Sequence, residues 1–212
     1  ASKNGIAVGP SGGLVLSVSK LGLSRAQPGG PVEPPGFTPQ SARCPRFSPD
    51  GRTLWAVVDS LGVVAFDPET KKPRATWRNA IEAATLGHGS LDALAVGRTV
   101  VAAGGPSGSV HLLDPATERY LAPVSALGDP VLSLALSPDE AFVFAGTQSG
   151  KVRVIRLCDR AELPAVPAHP GGTTAVAVSR DGETIVSGGA DQSVRVCAFG
   201  SSWPSVRRTS SP

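Results

Sequence analysis

The chain contains no methionine, a single tyrosine, three cysteines and a charged fraction of only 17%. Each scarcity removes a class of protein. No stretch of about eighteen consecutive apolar residues occurs, so no membrane-spanning helix is expected. The net charge is +3, and basic side chains are scattered apart from Lys71-Lys72 and Arg207-Arg208. The clustered basic stripe of a dedicated nucleic-acid binder is therefore missing. Cys44, Cys158 and Cys197 form no CxxC pair, and His88, His111 and His169 supply no close-spaced partners for them. Zinc finds no four-ligand set in that pattern, and no metal or other cofactor is expected. A Cys158–Cys197 bridge is conceivable because the two lie in neighbouring units, but free thiols in a reducing compartment are the expectation. No secretory leader is visible, so the expected location is intracellular, in the cytoplasm. The chain does not open on Met, which leads to the expectation that an earlier segment precedes residue 1.

Twenty-five glycines and twenty prolines, with 41% hydrophobic residues, describe a turn-rich all-β chain. Its organising feature is a repeat. The segments GVVAFDP, SVHLLDP, KVRVIRL and SVRVCAF align so that Phe66, Leu113, Ile155 and Cys197 fall at intervals of 47, 42 and 42 residues. The turn segments FSPDG (47–51), LSPDE (136–140) and VSRDG (178–182) lie upstream. Their serines, Ser48, Ser137 and Ser179, each sit 18 residues before Phe66, Ile155 and Cys197. A period of about 40–45 residues built from short strands is the signature of a propeller blade, and no 3.6-residue periodicity argues for helices.

In the last unit TTAVAVS (173–179) alternates, a polar turn comes next at Arg180-Asp181-Gly182, ETIVSGG forms a second strand, and SVRVCAF a third. The unit before repeats this plan. The third unit, ALAVGRTVVAAGG, has a first turn shorter by two residues but recovers register at SVHLLDP. Four units thus occupy 43–199. Residues 1–27 read as a divergent blade remnant that loses the apolar pattern at Ser24 and Arg25. Residues 28–42 read as a Pro/Gly-rich loop or insertion, where prolines withhold ladder donors. Residues 200–212 are either a closing strand or a disordered tail.

Through FSPDGRTL (47–54), SPDEAFVFAGTQSGKVRVI (137–155) and SRDGETIVSGGADQSVRVC (179–197) the chain resembles the WD40 repeat family. The resemblance implies a β-propeller of four-stranded antiparallel blades, about five in this chain. The WD dipeptide itself is absent. The paired positions read Phe66-Asp67, Leu113-Asp114, Ile155-Arg156 and Cys197-Ala198, so two keep the aspartate and none the tryptophan. The family's structural hydrogen-bond set is matched in the last unit by His169, Ser187 and Asp191, with Cys197 in place of Trp. His88 matches the histidine position in the third unit, without the partners.

A Ser, His and Asp trio invites a catalytic reading. No GxSxG elbow accompanies it, and the strand register brings the three together as buried polar groups that satisfy one another. The trio is expected to be structural, with no catalytic residue in the chain. GGPSGS (104–109) lacks the lysine of a phosphate loop and reads as a turn. Asp139-Glu140 and Asp181/Glu183 read as solvated turn residues, Arg153, Arg156 and Arg195 as blade-edge residues, and Trp55 as core. Trp77 and Trp203 are candidate anchors for a partner, and Arg207 to Ser210 resembles a basophilic kinase site.

The expected function is a non-catalytic scaffold mediating protein–protein interactions within a larger complex. Asp59, Asp129, Gln148 and Ala190 are the expected contact residues on the rim, and the partner is an unspecified protein. One alternative is a regulatory or sensor propeller of a larger, bacterial kinase-linked protein; a more remote one is a propeller-type hydrolase. Because WD40 domains most often have seven blades, a longer propeller with further blades is the first expectation; a five-bladed ring and an open array completed by another subunit are the alternatives.

Overall fold

β-branched and small apolar residues alternate between turns, and in the computed structural model each such run is a strand. The structure describes residues 5–9, 14–18, 22–26, 31–33, 42–58, 62–77, 91–117, 119–126, 128–200 and 205–207. The strands form five four-stranded antiparallel sheets, each in simple chain order. Sheet 1 holds β1 (Gly5–Val8), β2 (Leu14–Val18), β3 (Gly22–Ala26) and β4 (Val32–Glu33). Sheet 2 holds β5 (Ala42–Phe47), β6 (Leu54–Val58), β7 (Gly62–Phe66) and β8 (Pro73–Trp77). Sheet 3 holds β9 (Ala93–Val96), β10 (Val101–Gly104), β11 (Ser109–Asp114) and β12 (Arg119–Ala126). Sheet 4 holds β13 (Val131–Leu136), β14 (Phe142–Thr147), β15 (Lys151–Arg156) and β16 (Glu162–Pro167). Sheet 5 holds β17 (Thr173–Val178), β18 (Thr184–Gly189), β19 (Val194–Ala198) and β20 (Ser205–Arg207).

The first strands pack against one another in sequence, β1 on β5, β5 on β9, β9 on β13 and β13 on β17. Sheets stacked by their first strands, with later strands outward, are the radial arrangement of a β-propeller. Because side chains alternate along a strand, each sheet has two faces to bury. One face leads toward the preceding sheet and one trails toward the next. The repeat positions Phe66, Leu113 and Ile155 are fully buried on leading faces, against Ala7, Trp55 and Leu112 respectively, and Cys197 is buried at the equivalent place. Trailing faces carry Trp55 in sheet 2, Leu112 in sheet 3 and Phe144 with Val154 in sheet 4. Two buried faces explain why β6 and β10 are buried at every position. Each large side chain so enclosed contributes about 1.5–3 kcal/mol.

Two expectations from the sequence need correction. The Pro/Gly-rich segment 28–42 is not only a loop, because Val32 and Glu33 pair with Ala26 and Arg25. An outermost strand pairs on one side only, so two residues between prolines suffice. Ser24 and Arg25 likewise do not interrupt the unit: they lie within β3, opposite Leu16 and Val15. At the other end, Ser205, Val206 and Arg207 pair with β19 and complete sheet 5.

Candidate functional site: the two rims of the array

At one end of the sheets, the Ser-Pro-Asp or Ser-Arg-Asp turn joins the first strand to the second, and its chemistry is the same three times. Ser48 Oγ donates to Asp50 and Ser137 Oγ to Asp139, each at 2.5 Å, and Ser179 Oγ donates to Asp181. Each serine oxygen also accepts the backbone N–H five residues on, from Thr53 at 3.0 Å, Phe142 at 2.9 Å and Thr184 at 2.9 Å. Each aspartate accepts the N–H two residues on, at 3.0 Å. The serine hydroxyl is the largest cause holding all three carboxyls below the usual range, with the backbone N–H next. At the turns between third and fourth strands, Asp67 and Asp114 accept backbone N–H groups at 2.8–3.2 Å. This is what the retained aspartate of the two repeats does.

The short turn of sheet 3 has neither serine nor aspartate, and its neighbour supplies the missing acceptor. The Glu140 carboxylate, from sheet 4, accepts Thr99 N–H at 2.8 Å, Thr99 Oγ at 2.6 Å and the Arg98 N–H. Burial pulls this carboxyl up, but the hydrogen bonds from Thr99 and Arg98 outweigh it and the net shift is downward. Glu140 has φ of 56°, where sheets 2 and 5 place Gly51 and Gly182 at 71° and 78°. A left-handed glutamate is unfavourable, and here the side chain has a use for that backbone. The reading of Asp139-Glu140 as a solvated pair is therefore wrong for Glu140. No local motif could have revealed it, because its partners are 41 and 42 residues away. Beside this latch, between sheets 2 and 3, a cleft of about 510 Å³ is lined by Trp55, Arg74, Arg98 and Asp50 among others.

At the other end, the His169 ring is buried and fully engaged. Nδ1 lies 2.8 Å from Asp191 Oδ1 and 3.1 Å from Ser193 Oγ, while Nε2 lies 2.9 Å from Ser187 Oγ. An ionised carboxylate only accepts, so Nδ1 donates to Asp191. Burial works against the Asp191 carboxylate, but hydrogen bonds from Ser193 and His169 hold it below its ordinary range. Backbone room is part of the design. A Cβ on Gly189 would fall 2.2 Å from His169 Cβ, and one on Gly150 1.7 Å from His169 O. The structure thus brings His169, Ser187 and Asp191 together, with Ser187 only 3% exposed. A serine so enclosed, its hydroxyl on the ring, offers no approach to a substrate carbonyl in this conformation.

Sheet 4 uses other groups for the same joint. Asp129 accepts the Ser149 N–H at 3.1 Å and also its hydroxyl. Burial raises the Asp129 carboxyl, and hydrogen bonds from Ser149 and Thr147 more than reverse it. Of the four rim residues read from the sequence, Asp129, Gln148 and Ala190 lie at this end. Gln148 N–H donates to Pro130 O at 2.9 Å and Ala190 N–H to Gly172 O at 3.0 Å. Gln148 and Ala190 are both exposed, Ala190 beside Asp191 and Gln192 on its turn. Asp59, His88 and Trp203 lie outside the described residues, and Trp77 is the last residue of β8.

The third-strand arginines are taken up locally. Arg153 pairs with Glu162 through two bonds of 2.5 and 2.7 Å, Arg156 pairs with Asp159 at 2.8 Å, and Arg195 is 3.9 Å from Asp191. The three cysteines are unbridged; Cys158 is exposed and Cys197 buried, and burial pushes the Cys197 thiol up. Among the described residues no group of three His, Cys, Asp or Glu could hold a metal ion.

The family description "WD domain, G-beta repeat" matches residues 123–156 and 162–197, the stretch that forms sheet 4 and most of sheet 5. The chain is 32% identical over 92 residues to "Transcription factor unc-37" of Caenorhabditis elegans, covering 43% of this chain. It spans 15% of the length of that curated relative. Among solved structures, a chain of the "Crystal Structure of Mitotic Checkpoint Complex" superposes with a TM-score of 0.78 at 17% identity. That match covers 93% of this chain and 62% of the other.

Proposed function

Because the chain is a member of the WD40 β-propeller family, we infer that it is a non-catalytic platform holding protein partners within a larger complex. The observation that carries this reading is the rim at Gln148 and Ala190. Both lie on turns whose backbones are pinned to the neighbouring loop, at Pro130 and at Gly172. Turns ordered before they meet a partner lose little freedom on binding, so their contacts translate into affinity. The likeness to a chain solved within a complex supports the same reading. On this reading the array is completed by propeller sheets from outside its five.

The test is proximity crosslinking in the source cells with three baits. These are the unaltered chain, the double variant Gln148→Arg/Ala190→Arg, and Arg180→Glu at the opposite rim. A partner lost from the first variant and kept by the second is the expected result. A partner set indifferent to both variants, or a hydrolytic activity abolished by Ser187→Ala, would overturn it.

A further inference from the structure

We propose that the cleft between sheets 2 and 3 docks a peptide segment of a protein partner, one carrying a large apolar side chain beside an acidic residue. The proposal rests on the platform reading in taking the ligand to be a protein, but it concerns the opposite rim. The cleft measures about 510 Å³ and lies where the turn at Ser48 to Asp50 meets the turn at Gly97 and Arg98. Packed protein elements leave few voids, and internal comparison shows why this junction keeps one.

Three places are reduced together. Ala65 and Ala75 pair with each other on the trailing face of sheet 2. The same pair is Leu112 and Leu121 in sheet 3, and Val154 and Leu163 in sheet 4. Those larger side chains fill the junctions of sheet 3 with sheet 4 and of sheet 4 with sheet 5. Trp55 is bigger than its counterparts Ala102 and Phe144, but it is 3% exposed and forms the floor. The third reduction is the turn itself. Sheet 5 reaches back to sheet 4, since a Cβ on Gly182 would stand 3.5 Å from Pro138 Cδ. The turn of sheet 3 is shorter by two residues, and Pro49, at the place of Pro138, lines the cleft instead. What is missing is the branched end of two side chains and the tip of a turn. A leucine, isoleucine or phenylalanine from outside supplies that volume.

Charge chooses the neighbour of that side chain. Arg98 lines the cleft and is exposed, and among the described residues its guanidinium has no carboxylate partner. Arg74, on the other wall, is engaged by Asp67. The Asp50 carboxylate is engaged by the Ser48 hydroxyl and the Arg52 N–H. The bonding capacity left over is therefore a cation's, and a carboxylate matches it. The Glu140 latch holds the Arg98 and Thr99 backbone, so this cation stands on a turn ordered before a ligand arrives. Such ordering lowers the entropic cost of binding.

The experiment selects short peptides from a random displayed library on the purified 212-residue chain and measures their affinity for its variants. Selected peptides should share a large apolar residue within two positions of Asp or Glu. Ala75→Leu, which copies Leu121 and Leu163, should weaken them about tenfold or more, because the anchor loses its pocket. Arg98→Ala keeps the backbone bonds to Glu140 and should weaken them about two- to fivefold, with a smaller dependence on salt. Since Ala75→Leu fills open space, it should melt no lower than the unaltered chain. A clearly lower melting temperature would mean that the space is closed in solution and would sink the proposal. Selected peptides that are indifferent to Ala75→Leu, or that carry a basic residue beside the anchor, do the same. Self-association abolished by Ala75→Leu counts against it as well, because a second copy would then be the occupant. Gln148→Arg/Ala190→Arg should leave the peptides bound. If that variant releases them instead, they belong to the other rim, and the cleft fails while the platform reading stands.

Discussion

Sheets 4 and 5 are one repeat written twice, 42 residues apart, and they differ at the upper joint, on the trailing face and at one turn residue. Their strands pair in the same register, Phe144 on Val154 and Val186 on Val196, and their serine–aspartate turns make the same bonds. At the upper joint, however, sheet 4 uses the Asp129 carboxylate and sheet 5 the His169 ring. On the trailing face, sheet 4 is sealed and sheet 5 is open. The comparison teaches that register and turn chemistry define a blade, while the polar pin is interchangeable and the burial of a face is set by the sheet packed beyond it.

The most direct way to break this comparison is to truncate the two equivalent side chains. Phe144→Ala removes a fully enclosed ring and should cost about 3–5 kcal/mol. Val186→Ala, at a place more than a third exposed, should cost no more than about 0.5–1 kcal/mol. Urea unfolding of the two variants measures both. Equal costs would mean that sheet 5 is covered in solution and that the contrast between the faces is false.

The joints come next. His169→Ala takes away a buried ring and leaves the Ser187 hydroxyl enclosed without its partner, at about 2–3 kcal/mol. Asp129→Ala, in a half-buried place where water can reach Ser149, should cost about 1 kcal/mol. If the two costs are the same, the joints are equivalent in energy as well as position. If Asp129→Ala is the worse, the histidine set is the dispensable version.

Much of this was legible in the chain because a repeat reports on itself. The intervals linking Phe66, Leu113, Ile155 and Cys197 gave the register, and that register put all four on leading faces, where burial makes one residue type as good as another if it is apolar. The trio His169, Ser187 and Asp191 was readable only through the family resemblance, because the other units do not repeat it. What escaped lacked a local signature. β4 is two residues among prolines, paired through its backbone with Arg25 and Ala26, so neither alternation nor propensity marks it. The open trailing face is invisible in sequence, because Val186 and Val194 read as core residues by pattern. The Glu140 latch crosses between sheets, and a glutamate in a turn is ordinarily a solvated residue.

That latch supplies the smallest effect and the sharpest contrast, since sheet 5 has Gly182 in the turn where sheet 4 has Glu140. Glu140→Gln keeps the side-chain length but weakens the acceptors of Thr99, and should cost about 1 kcal/mol at neutral pH. The folded carboxyl is held below its ordinary value of 4.5. A depressed carboxylate contributes stability that is complete above the unfolded value and disappears as pH falls through the folded one. The unaltered chain and Glu140→Gln should therefore differ at pH 7 and converge as the pH falls through the depressed value of the folded carboxyl. Asp139 and Asp181, also held low by their serines, titrate in both chains and cancel from the difference. Urea midpoints across that range test the point. A gap that persists in acid would show that the glutamate acts through packing on Gly97 rather than through its charge, and the joint between sheets 3 and 4 would then be apolar in kind, like the faces beneath it.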